Sequence, residues 1–146
     1  MPTIIIMGQP EAKARHRTFG FISNGKAQVR AYTGAKGRAS EQNIIAQLMP
    51  SRLEQPLEGP VYLDTYFFMK RPKSHYRTGK HAGVLKEDAP RWCTSKPDID
   101  NLRKNVMDAL TKAGFWRDDA QVAEGRSSKR YADELPNTVI QFGLMD

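Results

Sequence analysis

The sequence predicts an α/β (α+β) protein of a single domain, and three observations carry that reading. Two runs rich in β-branched and aromatic residues, at 3–7 and 61–69, have the composition of buried strands. A segment at 101–113 repeats its apolar residues with helical period. The chain of 146 residues suits one domain, 1–146, rather than two.

Taken in order, Thr3-Ile4-Ile5-Ile6-Met7 is a strand closed by Gly8-Gln9-Pro10. Residues 19–23 and 27–32 flank Asn24-Gly25, the dipeptide that suits a type I′ turn, so they form a hairpin. A helix follows over 40–53, with Ile44, Ile45, Leu48 and Met49 on its apolar face, Ser40 as its cap and Pro50 marking an end or a kink. Residues 61–69 are the second strand. Residues 71–95, with Pro72, Gly79, Gly83, Pro90 and scattered charges, read as a long mobile basic loop, and loops of that length are usually functional or disordered. The helix at 101–113 stops at Gly114. At about 100° per residue it gathers Asp100, Asn101, Lys104 and Asp108 on one face and Leu102, Val106, Ala109, Leu110 and Ala113 on the other. Strands at 121–131 and 138–143, separated by a turn at 133–137, complete the chain.

Lys and Arg outnumber Asp and Glu by 23 to 16, a formal net charge of +7. The excess is uneven: residues 1–39 and 70–96 each carry +6, whereas 40–69 carry −3 and 97–146 carry −2. Basic stretches that also hold His75, Tyr76 and Trp92 suit a phosphate backbone, because each neutralised phosphate releases counterions. Solvated loops have the same composition, so charge alone does not decide. No apolar run is long enough to cross a bilayer, and no basic segment leads into a long apolar stretch, so a soluble cytoplasmic protein is expected. The lone Cys93 excludes an intrachain disulfide and a zinc site built mainly from cysteine.

The informative stretch is Lys96-Pro97-Asp98-Ile99-Asp100-Asn101-Leu102-Arg103-Lys104, followed by Asp118-Asp119. Pro97 biases its predecessor towards extended geometry, so Asp98 enters from a strand or loop. In an extended segment Asp98 and Asp100 point to one side. Two carboxylates there make a hard-oxygen site for a divalent cation. Helix capping by Asp100, an i,i+4 pair between Asp108 and Lys112, and a turn at Asp118-Asp119 account for the same residues without chemistry. What favours chemistry is the concentration of acids in one short region of a basic protein.

With its spacing included, the stretch resembles the RusA family of Holliday-junction resolvases, the crossover-junction endodeoxyribonucleases common in prophages. The family pattern is an Asp-x-Asp-Asn, a Lys four residues after the second Asp, a helix, and a third Asp in a paired-acid turn. Asp98-Ile99-Asp100-Asn101, Lys104, Asp108-Ala109-Leu110, Gly114 and Asp118-Asp119 fill it, with the third aspartate on Asp119. Gly8-Gln9-Pro10 followed by Lys13, Arg15 and Arg17 is also similar, although His16 stands where Pro is common, and so is Lys129-Arg130-Tyr131 before the last strand.

The resemblance implies a mixed β-sheet covered by helices, a homodimer, and cleavage of four-way DNA junctions dependent on Mg²⁺ or Mn²⁺. Asp98, Asp100 and Asp119 would hold the metal, and Lys104 would complete the catalytic set. Asp108 matches no family role. Lys13, Arg15, Arg17, Lys70, Arg71, Lys73 and Lys129 would bind branched DNA. The competing readings are a non-catalytic, structure-selective nucleic-acid-binding module and a nuclease for forks or flaps.

Overall fold

The structure is a computed structural model, and residues 2–14, 17–32 and 34–146 are described. β1 (Thr3–Met7) is followed by a hairpin, β2 (Arg17–Ser23) and β3 (Lys26–Tyr32), then by helix α1 (Ala35–Leu48) and strand β4 (Val61–Met69). Helix α2 (Ile99–Lys112) leads to β5 (Val122–Glu124), β6 (Ser127–Tyr131) and β7 (Asn137–Leu144). The main sheet runs β1-β7-β4, with β5 and β6 one after the other along the far edge of β4. β7 is antiparallel to both β1 and β4, whereas β5 and β6 are parallel to β4. Parallel pairing needs a crossover, and the segment containing α2 supplies it. The sheet is therefore mixed, as the resemblance implied.

Alternation along the strands turns Ile4, Ile6, Val61, Leu63, Phe67, Met69, Ile140 and Phe142 inward. Ile44 and Leu48 of α1 and Leu102, Val106, Ala109 and Leu110 of α2 join them in one core. The apolar face of α2 is the one its rotation predicts. Its polar face is left outward, and that sets the candidate site.

Several expected boundaries move. α1 begins at Ala35 behind Gly34, and Ser40 lies inside it, with its Oγ accepting a bond from Asn105 instead of capping. The helix ends at Leu48 because Pro50, which lacks an N–H, sits in a 3₁₀ turn over Met49–Ser51. α2 begins at Ile99, since Asp98 is its N-cap. The strand expected at 121–131 is broken in two at Gly125, whose φ is +146° and where a Cβ would lie 1.7 Å from the Leu63 carbonyl oxygen. Only glycine lets β5 pass so close to β4 and resume as β6. The hairpin is as expected, with Asn24 and Gly25 both at positive φ, and it forms a separate two-stranded sheet.

Residues 71–95 are fastened down rather than loose. Arg71 is buried and donates from Nη1 to the Pro90 carbonyl at 2.7 Å, while its guanidinium lies over the Tyr131 ring. Short bonds close the loop on itself (Arg77 to Val84, Lys86 to His75), while Cys93 N–H donates to the Lys129 carbonyl and Tyr131 N–H to the Arg91 carbonyl. No described helix is long and apolar enough to cross a membrane.

Candidate active site

The two acidic stretches of the sequence have to meet across a helix, and the C-terminus of α2 makes this possible. Gly114, at φ +84°, donates its N–H to Thr111 O, and Phe115 N–H bonds Leu110 O, the paired bonds of a Schellman ending. Phe115 and Trp116 then turn into the core, and Trp116 Nε1 donates to Thr111 Oγ1. The chain is thereby reversed along the helix. Asp118 caps the next 3₁₀ turn, Asp119–Gln121, by accepting from Ala120 N–H, so it serves the backbone while Asp119 faces α2. Gln121 anchors the turn by donating to the carbonyls of Leu57 and Gly59.

The reversal brings Asp119 Oδ2 to 2.9 Å from Lys104 Nζ. Lys104 Nζ is equally close, at 2.9 Å, to Asp108 Oδ1 one turn further along α2. Asp108 Oδ2 in turn meets Lys13 Nζ at 3.1 Å, and Lys13 Nζ meets Glu41 Oε2 at 2.9 Å. Lys112 takes the other Glu41 oxygen, so the expected Asp108–Lys112 pair is replaced by Lys104–Asp108. Six alternating charges thus form a continuous strip from the 119 turn over α2 to α1. The bonds to Asp119 and then Asp108 hold the Lys104 pKa well above its usual value, and the Lys104 contact holds the Asp119 carboxyl below the ordinary carboxylate range. Burial works to lower the Lys13 pKa, but its bonds to Glu41 and Asp108 prevail and raise it.

Asp98 and Asp100 stand at the opposite end of α2. Asp98 has extended backbone (φ −69°, ψ 145°) and its side chain makes no capping bond. It lines an open recess with Trp92, Cys93, Ser127, Ser128 and Lys129. Asp100 lies in the first helical turn, where its Oδ1 accepts the Asn101 N–H. Asp98 is thus extended, as Pro97 predicts, and Asp100 is already helical, so the pair straddles the entry of α2.

Among the described residues no three carboxylate, imidazole or thiol groups converge closely enough to cage a metal as they stand. The donor chemistry nonetheless fits a hard divalent cation, since Asp98, Asp100 and Asp119 offer only carboxylate oxygen. Asp119 is already paired with a cationic group, the Lys104 ammonium.

The expected DNA-binding residues divide sharply. Lys70 and Lys73 are exposed. Arg15 lies outside the described residues, and Arg17 opens β2, its side chain outside the description. Lys13, Arg71 and Lys129 have internal partners instead. Lys129 Nζ donates to the carbonyls of Ser95 and Pro97, so it braces the segment that delivers Asp98.

Sequence reading passed over three further residues. Arg103, half-buried, donates to Leu63 O, Thr65 Oγ1, Arg126 O and Ser127 Oγ, locking α2 to β4 and β6. Asn105 donates to Glu11 O and Ser40 Oγ, tying the segment after β1 to both helices. Asp64, on the sheet face away from the helices, accepts from the Tyr62 and Tyr66 hydroxyls and from Arg126 N–H. A polar residue at an inward helix position, as Asn105 is, was the available signal; the other two carried none.

Residues 7–142 match the family Endodeoxyribonuclease RusA. A Bacillus subtilis (strain 168) protein named Uncharacterized protein YqaN is 35% identical over 129 residues, covering 88% of this chain and 87% of that protein. The crossover junction endodeoxyribonuclease rusA of Enterobacteria phage 82 is 66% identical over 100 residues, 68% of this chain and 65% of that protein. For the crossover junction endodeoxyribonuclease RusA of Escherichia coli (strain K12), 66% identity spans 32 residues, 22% of this chain and 27% of that protein. The class is that of endonucleases, hydrolases of phosphodiester bonds within DNA. The chain belongs to the RusA family of endodeoxyribonucleases.

Proposed function

We propose that this chain resolves four-way DNA junctions in the cytoplasm, by paired phosphodiester hydrolysis dependent on Mg²⁺ or Mn²⁺. The observation that carries the reading is the contact between Lys104 and Asp119, fifteen residues apart, which joins the helix bearing Asp98 and Asp100 to the paired-acid turn. Asp98, Asp100 and Asp119 would hold the cation. When bound, such an ion supplies activation of water and offsets charge developing on the phosphate. Lys104 keeps a positive charge beside Asp119 and stabilises the same phosphate as its charge grows. Lys129 orients the entry to Asp98, and Arg103 keeps α2 rigid against the sheet. Lys70 and Lys73, with Arg15 and Arg17, hold the junction arms.

The test is a labelled four-way junction incubated with and without Mg²⁺, beside a fork and a plain duplex. Metal-dependent cutting of the junction in preference to the others is expected. A shifted but uncut junction would replace this reading with a binding module, and preference for the fork would make it a fork or flap nuclease.

The active species in this reading is a homodimer, since a four-way junction has two-fold symmetry and needs two nicks in strands of like polarity. Sedimentation as a dimer, with direct release of linear product from a junction on a supercoiled plasmid, is the expected result. A monomer that yields only nicked circles would overturn it.

A further inference from the structure

The Lys104 ammonium has two partners that differ in character. Asp119 belongs to the turn beyond the helix and its side chain is 28% exposed, while Asp108 is on α2 itself and 18% exposed. The i,i+4 spacing on one helix fixes Asp108 beneath Lys104 whatever the turn does. The Lys104 ammonium occupies Oδ2, one of the two Asp119 oxygens, and its charge opposes a divalent cation bound to the same carboxylate, where such ions sit at about 2.0–2.6 Å. Ammonium and metal therefore compete for one carboxylate.

We infer that Lys104 is a resident counter-ion of Asp119, exchanged for the divalent cation, and that Asp108 is the positioning residue that retains the ammonium after the exchange. The inference rests on Asp119 being a metal ligand. Asp108 can play this part because its second oxygen is already engaged by Lys13, which Glu41 holds from α1. The carboxylate is thus fixed from behind and cannot follow Lys104 outward. Lys104 changes from two partners to one without leaving the site, and the donor it gains is turned to the incoming phosphate.

The experiment is Mn²⁺ binding to the full chain without DNA, followed by the electron paramagnetic resonance signal of free Mn²⁺, with thermal melting of every variant. The wild-type chain binds Mn²⁺, and Asp119→Asn loses that binding. Lys104→Met binds about fivefold more tightly, the scale of an exposed ion pair that no longer has to be broken. Asp108→Asn binds about threefold more weakly, because Lys104 then has only Asp119, and Asp108→Glu restores the wild-type value. In the Lys104→Met background Asp108→Asn has little further effect, since Asp108 acts through Lys104. Unchanged or weaker binding by Lys104→Met overturns the inference, as does an Asp108→Asn effect that is undiminished in that background. If Asp108→Asn does not melt cooperatively, Lys104→Met decides alone, because Lys104 lies on the exposed helix surface. Absence of Mn²⁺ binding by the wild-type chain removes the metal assignment and this inference together, whereas binding that ignores Lys104 removes only the inference.

Discussion

Lys129 holds the Pro97 carbonyl at 2.7 Å and the Ser95 carbonyl beside it, so a residue of β6 fixes the backbone immediately before Asp98. Lys129→Ala is expected to slow cleavage of bound junction by about tenfold to a hundredfold, the cost of a small misplacement, with near-normal affinity. Single-turnover cleavage and a mobility-shift titration separate the two. Loss of affinity with unchanged single-turnover rate would return Lys129 to the phosphate contacts.

Asp98→Asn, Asp100→Asn and Asp119→Asn each keep side-chain shape and remove the charge that would hold the cation. Each is expected to cut below about one per cent of the wild-type rate while binding the junction as well or better, since repulsion of DNA falls. A variant that cuts at the wild-type rate would take its residue out of the site.

Asp64 predicts a pH dependence of stability. Burial works to raise its pKa, but the Tyr62 hydroxyl, the Arg126 N–H and the Tyr66 hydroxyl lower it below the usual value, and they prevail. A depressed folded pKa gives stability that is complete above the unfolded value of about 3.9 and is lost as pH falls through the folded value. Asp64→Asn is therefore expected to cost about 2 kcal/mol at pH 7. That difference in urea midpoint should narrow below about pH 4. A gap independent of pH would show that shape, not charge, is what Asp64 supplies.

Gly125 and Gly114 both have positive φ but differ in surroundings. A Cβ at Gly125 would collide with the Leu63 backbone, whereas one at Gly114 meets nothing within 4 Å. Gly125→Ala should lose about 3 kcal/mol or more, and Gly114→Ala about 1 kcal/mol, read from thermal melting. Equal losses would mean that β4 and β6 can part at no great cost.

Within the basic loop, position rather than charge separates neighbouring residues. Truncating Lys70 and Lys73 together should weaken junction binding and flatten the log–log salt slope by about 2. Arg71→Ala should leave the slope unchanged and hasten proteolysis between residues 71 and 95, because it removes the bond to Pro90. A salt slope that responds to Arg71 would contradict its buried role.

Most of the elements could be read from sequence, because strands and the amphipathic α2 declare themselves by period, and the Asn24-Gly25 turn by its dipeptide. α1 was shifted because Gly34 starts it without a side-chain cap, and Ser40, a good cap by type, is used by Asn105. The break at Gly125 depends on the approach of Leu63 from a distant strand, which no local pattern records. At the site, the spacing of Asp98, Asp100, Lys104 and Asp119 was legible in linear order. The ion partners were not: Asp108 looked paired to Lys112 by helical spacing, and a lysine from the segment after β1 took its second oxygen. Lysine and arginine counts likewise could not tell Lys73, which faces solvent, from Arg71 and Lys129, which face carbonyls.

The strip from Asp119 through Lys104, Asp108, Lys13 and Glu41 to Lys112 holds three acids and three bases. They cancel, so the whole net charge of +7 belongs to the rest of the molecule. DNA approaching from a distance is therefore drawn towards other parts of the surface, and at the proposed site it would meet a neutral strip beside the two carboxylates of Asp98 and Asp100. In the proposed reading, a divalent ion held there would make the region attractive only then, so the field acting on the scissile strand would arrive with the ion and not before.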